Sequence, residues 1–168
     1  MNDVERQHVR RALQLEGVEC VHAIEAFRTP EQLHQFALNN NPNDGVLSML
    51  AVVRHPNCDA GTATYVYWQF STLLFEPESR ELQQRKAAEW NASAVLDTIE
   101  QRFLKGSFTA AEIYCDPQAD WQLNVIQRRN LIGAGVNPER LNPIGFRRVE
   151  REWLLQGSLI MACTANSV

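Results

Sequence analysis

The feature that most restricts this chain is a stretch without one charged residue, Ala60 to Phe75 (AGTATYVYWQFSTLLF). A segment of that length and polarity has to lie at the centre of a core. Its middle, Thr62 to Phe70, is rich in β-branched and aromatic residues, and propensity taken alone favours a strand. The whole stretch is far longer than the usual strand of about five to six residues. Asp59 stands just before it, a residue type that caps helix N-termini. A helix apolar on all sides is a buried one. The reading is a buried central helix, with a strand over residues 62–75 as the alternative.

The flanking segments have helical periodicity. Val4, His8, Ala12 and Leu15 share one face of an amphipathic helix over residues 3–16, closed by Gly17. Val18, Val21, Ile24 and Phe27 predict a second short helix over 18–28. Thr29-Pro30-Glu31-Gln32 has the spacing of a capping box with proline at the first helical position. That helix stops in Asn39-Asn40-Asn41-Pro42, and another starts at Asn43-Asp44-Gly45 and ends before Pro56. Glu76 to Lys105 predicts a long helix in two pieces: a charged, solvated first half and an apolar second half with Trp90, Leu96, Ile99 and Phe103. Residues 107–116 read as extended, Asp120 to Ile132 as helix, and Gly133 to Gly145 as loop. Val149, Trp153 and Leu154 have helical spacing in the tail, whose end, Leu159 to Cys163, also fits a strand. The predicted fold is all-α: one domain over residues 1–168, a compact helical bundle or helix-hairpin stack, with short β elements near 110–116 and 157–163.

Composition narrows the function classes. The net charge is −4 and the pI is about 5.6, which weighs against binding nucleic acid, a polyanion that calls for a basic face. An acidic balance suits a basic protein partner. No apolar run is long enough to cross a membrane. The charged start, Met1 to Arg6, has no signal-peptide pattern, and Cys20, Cys58, Cys115 and Cys163 are too scattered for a zinc site. The expectation is a cytoplasmic protein with reduced thiols and no cofactor.

The densest chemistry lies in His55-Pro56-Asn57-Cys58-Asp59-Ala60-Gly61-Thr62-Ala63. A cysteine near a helix N-terminus, with His55 or His34 and Asp59 as helpers, has the ingredients of a nucleophile. The same residues have a structural reading that weighs more: Pro56 stops a helix, Asp59 caps the next, Cys58 packs, and Gly61 permits a close contact. His22, His34 and His55 lack metal-ligand spacing. The Glu76/Glu78 and Glu150/Glu152 pairs read as surface charge.

Leu33-His34-Gln35-Phe36-Ala37, the turn from Asn41 to Gly45, the box Pro56-Asn57-Cys58-Asp59-Ala60-Gly61-Thr62-Ala63 and the pair Tyr67-Trp68 follow one another in an order that resembles an uncharacterised bacterial domain family. Its members have an LH-x-F-A segment, an N-x-D-G turn and a P-x-C-D-x-G-T-A box. The resemblance covers about residues 33–70. Here Asn41-Pro42-Asn43-Asp44 stands where N-W-D-D is usual, and Thr64 where leucine is expected. No catalytic residue transfers from that family. By analogy, small proteins of this kind act as immunity factors beside polymorphic or contact-dependent toxins. The resemblance, with the acidic charge, implies a protein that neutralises a cognate toxin, a nuclease, by covering its active site. Candidate contacts are Glu76, Glu78, Glu81, Glu89, Glu112, Asp116 and Asp120. The alternatives are an enzyme using Cys58 and an oligomeric adaptor using the apolar face of residues 90–103.

Overall fold

The computed structural model describes residues 1–41, 46–75, 92–108, 110–120, 122–123, 125–133, 135–152 and 154. The described residues are mainly helical, as the periodicity predicts.

Helix α1 (Asp3–Ala12) starts at Asn2, whose side chain accepts the Glu5 N–H while Glu5 bonds back to the Asn2 N–H. It is shorter than its periodicity suggests. The chain turns after Ala12, and Gly17 takes a left-handed backbone (φ +54°) at the first position of α2 (Gly17–Glu25). Helix α3 (Pro30–Asn39) begins with the capping box read from Thr29 and Gln32. Helix α4 (Leu47–Arg54) ends before Pro56. The expected start at Asn43 to Gly45 lies outside the described residues.

The charge-free stretch is helix α5 (Ala60–Phe75). Tertiary burial overrides the β propensity of its residues: Ala63, Val66, Trp68, Phe70 and Ser71 are all fully buried. Helices α3, α4 and α6 (Ala92–Leu104) pack around it. Helix α2 rests on α4, and α1 on α2 and α3. Trp68, Phe36, Phe70, Ile24, Leu33, Met49 and Ile99 are the bulk of the core, each stabilising the fold by roughly 2–3 kcal/mol through burial. The charged half of the predicted 76–105 helix lies outside the described residues. None of the helices described is long and apolar enough to cross a membrane.

The C-terminal third departs from its periodicity. A short helix α7 (Pro117–Asp120) precedes α8 (Val125–Gly133), where one helix from Asp120 was expected. Asp116 accepts the Gln118 and Ala119 N–H groups, starting α7 early, and Gln122 at φ +50° interrupts the helical path. A 3-10 turn, η1 (Pro138–Leu141), follows. The expected β element near 110–116 is reduced to two isolated bridges, Ile113 with Arg147 and Cys115 with Ile144. The other, near 157–163, lies outside the described residues. Residues 146–152 are not helical despite their spacing, because their polar groups are taken up elsewhere: the Arg147 N–H and C=O pair with Glu112 and Tyr114, and Glu150 and Glu152 bond to the Gln35 side chain. Residues 110–115 and 144–152 thus form a strap laid over α3 and α5.

Candidate functional site

The box from His55 to Ala63 closes α4 and opens α5. His55 Nδ1 accepts the Asn57 N–H at 3.1 Å, and the ring also bonds the Glu25 carbonyl. Arg102 reaches from α6 to the carbonyls of Val53 (2.6 Å) and His55 (3.0 Å), capping α4 with a cation. Cys58 is fully buried, and its thiol donates to the Asp59 carbonyl at 3.6 Å. Burial pushes that thiol up to about 12, against a weaker pull downward from Arg102. At neutral pH it is a protonated packing group.

Asp59 is fully buried as well. Its Oδ1 accepts the Gly61 N–H at 2.7 Å, which caps α5. The same carboxylate accepts the Ile113 N–H at 3.2 Å and, through Oδ2, the Glu112 N–H at 2.8 Å. Burial raises its pKa, and these three donors act against that shift. The Ala60 N–H donates to the Ala110 carbonyl beside it. Asp59 therefore joins α5 to the strap. Gly61 makes the approach possible: a Cβ there would lie 1.8 Å from the Ile113 carbonyl oxygen. A Cβ on Gly145, at φ +77°, would lie 2.1 Å from the same oxygen.

Four further sets of contacts hold the C-terminal third to the helices. Gln35, buried in α3, donates through Nε2 to the Glu150 carbonyl and accepts the Glu152 N–H at 2.9 Å, standing in for a neighbouring strand. Trp68 Nε1 donates to the Arg140 carbonyl at 2.7 Å. Arg140 lies 3.6 Å above the Phe103 ring and pairs with Glu100 at 3.3 Å. Arg147 pairs with Glu31 at the start of α3, and more distantly with Glu112.

Between α3, α5, α7 and the strap lies a cavity of about 350 Å³. His34 and Tyr65 line it from the helices, Tyr114 and Arg148 from the strap. His34 is 3% exposed. Its Nδ1 lies 3.1 Å from Thr62 Oγ1, and its ring meets Tyr65 edge-on. Burial, helped by the Arg147 charge, lowers its pKa to about 4, so the imidazole is neutral at pH 7.

The structure does not bring the residues of the nucleophile reading together. Cys58 and Asp59 are buried and bonded to backbone, His55 is committed to Asn57 and Glu25, and His34 is bonded to Thr62 instead. No group able to hold a metal ion occurs among the described residues. Of the acidic candidates, Glu76, Glu78, Glu81 and Glu89 lie outside the described residues. Glu112 is exposed, its carboxylate 3.8 Å from Arg147. Asp116 caps α7 and accepts from Tyr114, and Asp120 accepts the Asp116 N–H. The apolar face proposed for an adaptor is used internally: Ala92, Val95, Leu96 and Ile99 are buried in the core. Sequence reasoning missed Gln35, Arg102, Arg140 and Arg147. The one available signal was Gln35 and His34 inside the apolar run Leu33 to Ala37, where buried polar groups call for partners.

Residues 28–104 match the family described as Domain of unknown function (DUF4274), which takes in α3 to α6 and with them the boxes of the resemblance. No curated protein and no solved structure matches the chain.

Proposed function

We propose that this chain is a cytoplasmic binding protein of the immunity type, which neutralises a cognate toxin, a nuclease, by covering its active site. What supports the reading is the fate of the one reactive-looking box. Cys58 is committed to packing, and Asp59 and Gly61 to capping and to holding the strap, which leaves the outer surface to act. The net charge of −4 speeds encounter with a basic partner. Glu112, exposed on the strap, is the acidic contact best placed for it, with Glu76 to Glu89 as further candidates.

Co-expression with the product of the adjacent gene tests the proposal. The expected result is a complex that survives gel filtration and suppresses the toxin's nuclease activity. Two separate species and an uninhibited nuclease would refute it. The enzyme alternative has no observation in its favour, since Cys58 is buried and its thiol is held protonated.

A further inference from the structure

The cavity beneath the strap has a chemistry that partner binding does not use. At its floor His34 is 3% exposed, and its one hydrogen bond among the described residues is from Nδ1 to Thr62. No described residue bonds its Nε2, and the ring lines the cavity. Tyr65 and Tyr114 offer aromatic walls. At the rim Arg148 makes no ion pair among the described residues; its guanidinium lies 5.3 Å from the Tyr114 ring centre. Arg151 stands beside it and bonds Tyr65. Asp120 and Glu150 also line the rim and balance the two arginines in charge, which disfavours a polyanion. The volume, about 350 Å³, falls at the lower end of small-molecule sites, roughly 300–1,000 Å³.

We propose that this cavity binds a small planar molecule bearing a single anionic group, with a polar atom bonded to His34 Nε2 and the anion on Arg148. Its ring packs against Tyr65 and Tyr114. The anion is a carboxylate or a phosphate ester, since an arginine fork suits both. The walls come from α3, α5, α7 and the strap, so the site forms only when the strap is seated, and an occupant stabilises that closed arrangement.

The full chain with labelled histidine, followed by NMR, tests this with four probes: 4-hydroxybenzoate, phenyl phosphate, neutral 4-hydroxybenzyl alcohol and cationic benzylamine. The His34 ring signals are expected to shift with the first two in a saturable way. Affinity should fall at least tenfold for the alcohol and tenfold in Arg148→Gln, and recover in Arg148→Lys. Arg148 is exposed, so these variants keep the fold. Whichever of the two anions binds tighter identifies the head group. No His34 shift with either anion, equal binding of benzylamine, or full affinity in Arg148→Gln would overturn the proposal.

Discussion

Replacing Gly61 with alanine adds one methyl group where the structure has no room for it. The new Cβ would lie 1.8 Å from the Ile113 carbonyl oxygen and 2.8 Å from its carbon, and both are backbone atoms. Relief requires the strap to retreat by more than 1 Å to reach a 3.0 Å contact. The Asp59 bonds to Glu112 and Ile113, now 2.8 and 3.2 Å, then exceed hydrogen-bond reach. Each is charge-assisted and contributes about 1.5–3 kcal/mol, and the Ala60–Ala110 bond about 1 kcal/mol. Alanine regains about 1 kcal/mol over glycine in a helix. The net loss is about 3–6 kcal/mol, a large share of the stability of an ordinary domain. Urea unfolding followed by circular dichroism reads the total, and hydrogen exchange at the Glu112 and Ile113 amides reads whether the strap has lifted. A variant as stable as the parent, with those two amides still protected, would refute the contact and the role given to Asp59.

Three further outcomes follow from the same geometry. Gln35→Glu replaces a donor with an acceptor opposite the Glu150 carbonyl; a loss of about 2–4 kcal/mol is expected, and unchanged urea unfolding would remove the clamp from the argument. His34 titrates near 4 when folded and near 6.5 when unfolded, so the unfolded chain binds more protons between those values. The stability His34 contributes is complete above pH 6.5 and is lost as pH falls toward 4, by up to about 3 kcal/mol; the difference in pH dependence between the parent and His34→Gln should show that window, and parallel curves would contradict it. Cys58 should resist iodoacetamide at pH 7.5 in the native protein and react in urea, as mapped by mass spectrometry; native labelling at Cys58 would reopen the nucleophile reading.

What the sequence discloses about this fold depends on the distance over which each residue acts. Helix α3 is legible because Thr29 and Gln32 bond within one turn of each other, with Pro30 at the first helical position. Helix α5 is legible because a long charge-free segment behind a capping aspartate has few places to go. Gly61 reads correctly as a close contact, but its partner is the Ile113 carbonyl in a distant segment, which local pattern cannot identify. The tail shows the opposite error. Val149, Trp153 and Leu154 have helical spacing, yet Gln35 holds the backbone at Glu150 and Glu152 in an extended path. There a buried amide in α3 outweighs weak local periodicity.

The family match ends at residue 104, while the polar groups of its boxes are satisfied beyond that point. Asp59 takes N–H groups from Glu112 and Ile113, Gln35 bonds Glu150 and Glu152, and Trp68 donates to Arg140. Without those segments the Asp59 carboxylate, the Gln35 amide and the Trp68 indole N–H lose these bonds, each a net loss of about 0.5–1.5 kcal/mol and more for the charged group. The matched segment is therefore not a self-sufficient physical unit. Its box residues form a surface built to receive extended backbone, and in this chain the strap supplies that backbone. The box that resembles catalytic machinery is thus a seat for the strap, and the His34 cavity lies beneath that strap. Chemistry or recognition at this end of the molecule consequently depends on whether the strap is seated.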